Sequence, residues 1–147
     1  MLVRKILATA RGKLVVLRDD APLIEAAKLL AHRDSNLVVI CNARKRLVGV
    51  IAKTDIVRQM GKCRGSSCKE AVASVMTKEV AVCRSRDFLD QVWSVMKERG
   101  LKHIPVVDRL SRPIGLAIAR DVLNALVEES QHEGQLMRDY IMCVGYH

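Results

Sequence analysis

Two short apolar runs, Ile104–Val107 and Ile114–Ile118, flank a polar stretch at 108–113, and the segment closes on Arg120 and Asp121, where apolar residues begin to recur at helical spacing. Short runs rich in β-branched residues and bounded by turn formers predict the two strands of a hairpin. The acid then stands at or beside a helix N-terminus, where a carboxylate and the polar groups of a ligand can share exposed backbone N–H groups.

The same pattern occurs earlier in the chain. Sliding the sequence by 66 positions lays Leu37–Asp55 on His103–Asp121 without a gap, with Gly49 on Gly115 and Asp55 on Asp121. Upstream, Val16 falls on Val82, Arg18 on Arg84, Leu23 on Leu89 and Arg33 on Arg99. Few residues are identical, but the order of classes persists: strand, helix, strand, turn, strand, acid-led helix. Self-similarity at one spacing marks a duplicated structural unit and outranks the reading of any single element.

In the first copy the pattern predicts a strand at Leu14–Leu17, a helix announced by Asp19, Asp20 and Pro22, and a buried stripe of Ala26, Ala27, Leu29 and Leu30. His32–Asn36 end that helix, and strands at Leu37–Cys41 and Leu47–Ala52 lead to a helix from about Thr54 to Met60. The glycines and serines of Gly61–Ser67 make the joint. The second copy has a strand at Val80–Cys83 and a helix at Asp87–Arg99, with Phe88, Val92, Val95 and Met96 on one face and Gly100 as its stop. Leu123, Leu126, Val127, Leu136, Met137, Tyr140 and Ile141 predict that the last helix outruns its counterpart, weakened at Gly134. The organisation expected is repeat one at 1–60, a joint at 61–71, repeat two at 72–127 and a helical extension at 128–147.

Composition narrows the class. With 147 residues, half of them hydrophobic, and no apolar run near the ~18 residues of a membrane span, the chain reads as a soluble domain without membrane attachment. Met1–Lys5 is basic, but no long apolar stretch and cleavage site follow, so a cytoplasmic protein is expected. The net charge of +9 suits nucleic acid, acidic lipid or a phosphate-bearing ligand without choosing among them. The densest basic run, Arg44–Arg46, falls in a predicted turn, where solvated charge is ordinary, and the few aromatics (Phe88, Trp93, Tyr140, Tyr146) form no stacking platform.

With IPVVD at Ile104–Asp108 and GLAIARD at Gly115–Asp121, and VVICN at Val38–Asn42 with GVIAKTD at Gly49–Asp55, the chain resembles a stand-alone tandem pair of CBS domains, a Bateman module, from about Ile6 to Val127. The resemblance implies an α/β (α+β) fold of two βαββα repeats packed as a pseudo-two-fold pair. It also implies an adenine-containing ligand such as AMP, ATP or NAD(H) in a cleft between the repeats, with the acid that opens each last helix bonded to ribose. Carried over, one site combines Val50, Thr54 and Asp55 with Met76, Ala81, Leu101, Lys102 and His103. The other combines Leu116, Arg120 and Asp121 with Ala10, Val15, Ser35 and Asn36.

The chemistry suits these assignments. A carboxylate accepts from both ribose hydroxyls, small or apolar residues such as Ala81 and Val15 let backbone approach the purine, and cations or helix N-terminal amides hold phosphate. Lys102 and His103 would serve phosphate at the first site, and Arg120 faces the neutral Ser35 and Asn36 at the second. The family's Ser or Thr three residues before the acid is replaced by Ala52 and Ile118, which removes a phosphate-contacting hydroxyl from each site. The first site is therefore expected to be the tighter.

Plainer readings stand beside these. Asp55 and Asp121 can be helix caps, and His103 a half-buried structural residue. The five cysteines suit free thiols better than a disulfide framework. Cys63 and Cys68 lack the spacing and companions of a zinc site, though Lys62, Arg64 and Lys69 could activate a thiol there; Cys41 and Cys83 read as core, and Trp93 as core or interface. No nucleophile elbow, phosphate-gripping glycine loop or catalytic triad pattern is present, so a regulatory protein rather than an enzyme is expected, signalling to an unnamed partner and forming a homodimer through exposed helices. The runner-up is a basic nucleic-acid-associated protein that uses the pair as scaffold.

Overall fold

The structure is a computed structural model that describes residues 1–32, 36–62 and 69–144, with side chains described through Gln131. Its elements run α1 (Leu7–Lys13), β1 (Val16–Arg18), α2 (Leu23–His32), β2 (Leu37–Cys41), β3 (Leu47–Ala52), α3 (Lys53–Gly61), α4 (Leu89–Arg99), β4 (His103–Val107), β5 (Pro113–Ile118) and α5 (Ala119–Val144). Strands β1, β2 and β3 form one sheet and β4 and β5 another. Within the first, β1 pairs parallel to β2, while β2 and β3 are antiparallel.

The duplication is visible atom by atom in the hairpins. Asn42 Oδ1 accepts the N–H groups of Arg44 and Arg46, and Asp108 Oδ1 accepts those of Leu110 and Arg112. Each turn then sets one residue in the left-handed region, Lys45 at φ 64° and Ser111 at φ 62°. A side-chain acceptor two residues ahead stabilises such a turn in place of a backbone ladder. The register slips at the equivalent step in both ladders, between Ile40 and Cys41 and between Val106 and Val107. Arg44–Arg46 are exposed turn residues, as their setting predicted.

Three expectations are corrected. The first strand lies at Val16–Arg18, not Leu14–Leu17, although the Val15 carbonyl still accepts the Val39 N–H. Val80–Cys83 forms no strand: Cys83 alone pairs with β4, donating its N–H to Pro105 and accepting from Val107, and a single bridge does not make a ladder. Helix α4 begins at Leu89, and Phe88 is 52% exposed at its N-cap, outside the stripe that buries Leu89, Val92 and Met96. Gly100 does stop α4, at φ 63°.

The unforeseen element is α1, and it explains how the repeats hold together. Val3 and Ile6, leading into α1, are buried in the core of repeat two with Leu89, Ile104 and Val106. Reciprocally Val72, from the segment that leads repeat two, is buried in the core of repeat one with Leu23, Ile40 and Ile51. Backbone bonds fix both exchanges: Val3 N–H donates to Asp87, and Val72 N–H to Ala21. Each repeat completes the other's apolar core, so neither buries its full surface alone. Trp93 is half-buried against the second core. Helix α5 continues through Gly134 to Val144, while the side chains of Leu136, Met137 and Tyr140 lie outside the described set. Among the described residues, no helix is long and apolar enough to cross a membrane.

Candidate functional site

Where β3 runs into α3 and α4 turns into β4, the exchange of leading segments leaves a cavity of about 570 Å³ between the repeats. That volume suits a nucleoside-sized ligand. Val50 and Leu37 come from repeat one, and Val80, Ala81, Leu101 and Pro105 from repeat two, to make an apolar wall. The polar groups are Asn36, Lys53 and Thr54 from one side and Glu79, Arg99, Lys102 and His103 from the other. Lys53 and Thr54 are the first two residues of α3, whose leading amides have no partner within the helix.

The cavity thus gathers Val50, Thr54, Ala81, Leu101, Lys102 and His103. Asp55 and Met76 stand outside its lining. Asp55 is half-buried in the first turn of α3, its Oδ2 accepting the Ala52 N–H at 2.9 Å while Oδ1 lies 3.7 Å from Arg58 Nη1. A carboxylate offers about four acceptor positions, so this cap leaves capacity for a ligand. Met76 packs over Gly49, and the adjoining Thr77 exchanges two backbone hydrogen bonds with Val50. His103, first residue of β4, is held below the usual imidazole range by burial and then by the charge of Lys102. It therefore faces the cavity as a neutral ring near neutral pH, so the expected pair of cations is one cation and one neutral hydrogen-bonding group.

The second set is arranged differently. Ala10, Val15 and Leu116 are buried, with Ala10 directly over Gly115, while Arg120 is exposed. Asp121 is engaged by Lys13, the last residue of α1, in a part-buried ion pair. Asn36, expected opposite Asp121, lines the first cavity instead, and Ser35 lies outside the described residues. A more open hollow of about 470 Å³ separates β1 from the 108–113 turn. Its acid, Asp108, is committed to the turn and to Arg112 Nε at 2.9 Å.

Chain-wide likeness agrees with this geometry. The CBS domain family model matches residues 3–62 and again 72–128. The chain belongs to the CBS domain family. It is 24% identical over 127 residues to the 17.7 kDa protein in the bps2 3' region of Acidianus ambivalens, covering 86% of this chain and 76% of that one. It is 25% identical over 108 residues to the L-aspartate semialdehyde sulfurtransferase of Methanocaldococcus jannaschii, covering 74% of this chain but only 20% of the enzyme. Among solved structures, the CBS domain pair of protein MJ0100 in complex with 5'-methylthioadenosine and S-adenosyl-L-methionine superposes with a TM-score of 0.73 at 23% identity, covering 88% of this chain and 98% of that one. CBSX2 in complex with AMP superposes with a TM-score of 0.74 at 22% identity, with coverage of 88% and 98%.

Against this CBS fold, the polar cavity residues missed in the sequence are Lys53, Glu79 and Arg99 and the apolar ones Leu37, Val80 and Pro105, together with Lys13 at the second position. One signal was available: the 66-residue shift lays Lys13 on Glu79 and Arg33 on Arg99. Cys41 and Cys83 are buried free thiols of the CBS cores, pushed up to about 11 and about 12 by burial, and so remain protonated and unreactive. Cys63 and Cys68 lie outside the described residues. Among the described residues no cluster of His, Cys, Asp or Glu could hold a metal ion.

Proposed function

We propose that this CBS pair is a regulatory module that takes an adenine nucleotide, of the class of AMP, ATP or NAD(H), in the cavity between its repeats and passes occupancy to a partner protein. The observation that carries the reading is the cavity's division of labour: an apolar wall of Val50, Ala81 and Leu101 for a purine beside Thr54, Lys53, Arg99 and Lys102 for sugar and phosphate. With Asp55 offset by Arg58, the three cations of the lining against Glu79 leave net positive charge, which favours an anionic ligand. Asp55, next to the lining residue Thr54 in the first turn of α3, serves the ribose through the acceptor positions left free by its Ala52 bond. That the fold relatives MJ0100 and CBSX2 were solved with adenosine compounds supports the same class.

The convergence of Lys53, Arg99 and Lys102 on one cavity favours this reading over a nucleic-acid scaffold, which needs a basic stripe tracking a backbone. Val57 and Met60 on α3, with Leu123 and Val127 on α5, are exposed apolar residues that suit a homodimer interface. The test of the nucleotide reading is calorimetry with AMP and adenosine on the native protein and Lys102→Ala. Charge-assisted contacts of ~1.5–3 kcal/mol predict at least a tenfold loss for AMP and little change for adenosine. Equal losses for both ligands, or no AMP binding by the native chain, would overturn it.

A further inference from the structure

Where the first cavity holds Glu79, the equivalent position of the second set holds Lys13, and the reversed sign has a structural consequence. Lys13 Nζ engages Asp121, the acid equivalent to Asp55, across 108 positions of sequence. Neither group is a loosely solvated surface charge, since their side chains are 30% and 18% exposed. Packing fixes the lysine there: Ala10, one turn earlier in α1, lies so close over Gly115 that a methyl group on that glycine would stand 3.0 Å from Ala10 Cβ. At the first position the only cation paired with Asp55 among the described residues is Arg58 of the same helix, 3.7 Å away and 69% exposed.

We infer that Lys13 is a built-in occupant of the second nucleoside position, so that the pair takes one adenosine-type ligand rather than two. This rests on the reading of Asp55 and Asp121 as ribose acceptors given above. The Lys13 ammonium on Asp121 Oδ2 makes a charge-assisted bond and outcompetes a neutral sugar hydroxyl for that oxygen, so Asp121 cannot serve both ribose hydroxyls while Lys13 stays, whereas Asp55 Oδ2 holds only a neutral backbone N–H. Displacing Lys13 costs that charge-assisted bond, and an uncharged nucleoside brings no anion to re-pair the ammonium. The lock is specific to one half because the 66-residue equivalent of Lys13 is an acid.

Adenosine, which carries the ribose but no phosphate, is the probe. Its stoichiometry is measured by calorimetry on the full native chain, Lys13→Met, and the double variant Lys13→Met/Asp121→Asn, each first checked for a cooperative melt. Lys13→Met keeps the aliphatic stem, and Lys13→Gln replaces it should the methionine variant fail to fold. The expected result is one adenosine per native chain, two per Lys13→Met chain and one per double-variant chain. One per chain in both native protein and Lys13→Met overturns the inference and leaves the reading of the first cavity standing; two in the native chain also overturns it. None in the native chain but one in Lys13→Met upholds the lock and removes the first-cavity reading, whereas none in either removes both.

Discussion

Gly49→Ala sets the sheet against its cover. An added methyl group would meet Met76 Sδ at 2.5 Å and the Thr77 carbonyl oxygen at 2.9 Å. The thioether is the end of a flexible side chain and can swing aside. The carbonyl cannot, because it accepts the Val50 N–H at 3.0 Å while Thr77 N–H donates back to Val50 at 2.9 Å. Ordinary contact with a methyl carbon begins near 3.4 Å, so the oxygen must retreat by about 0.5 Å. That stretches a 3.0 Å hydrogen bond to about 3.5 Å, beyond the usual 2.7–3.2 Å range. Loss of that bond at ~0.5–1.5 kcal/mol, added to overpacking of ~1–3 kcal/mol, predicts a destabilisation of ~1.5–4.5 kcal/mol. For a domain of this size that is a fall of roughly 5–15 °C in Tm. Because Val50 lines the cavity, AMP affinity should fall as well. Gly12→Ala is the internal control: it lies in α1 with nothing within 4 Å of the new methyl, and should be stabilising by ~0.5–1 kcal/mol. Denaturant and thermal melts of both variants give the answer. A Gly49→Ala protein within ~0.5 kcal/mol of native would refute the claim that residues 76–77 are held hard against β3.

Two further outcomes follow from the same geometry. His103 has its folded-state affinity for protons lowered from a reference of 6.5 by burial and by Lys102, so as pH falls through 6.5 the unfolded chain takes up the proton first and stability drops. The stability lost by the native protein between pH 7.5 and 5.5 should therefore exceed that lost by His103→Gln, and the reverse order in melts across that range would contradict the assignment. If the exposed apolar residues of α3 and α5 form the homodimer face, light scattering should give twice the 16.4 kDa chain mass, and Val57→Glu with Leu123→Glu should return the monomer; a native monomer at tens of micromolar counts against it.

Local chemistry made the repeated hairpin legible without coordinates. Asn42 and Asp108 carry the acceptor that builds the turn, Gly49 and Gly115 recur at the same offset, and the apolar runs of β2 and β4 specify buried strands through period and composition. Asp55 and Asp121 were likewise visible as the acids that open α3 and α5. Helix α1 was not, because seven residues with Arg11, Gly12 and Lys13 carry too short an apolar stripe to be recognised, and its burial comes from the opposite repeat. Val80–Cys83 has strand-like composition, but a strand needs a neighbour along its length, and only Cys83 meets one. Phe88 follows the helical stripe in sequence yet lies outside it, since the chain is still extended at the N-cap. What each acid faces was decided only in three dimensions: Asp55 is capped from three residues away, whereas Asp121 meets a lysine 108 positions distant. Hydrophobic period and turn chemistry act over a few residues and can be read along the chain; the partner of a charge depends on which element the crossed cores bring beside it.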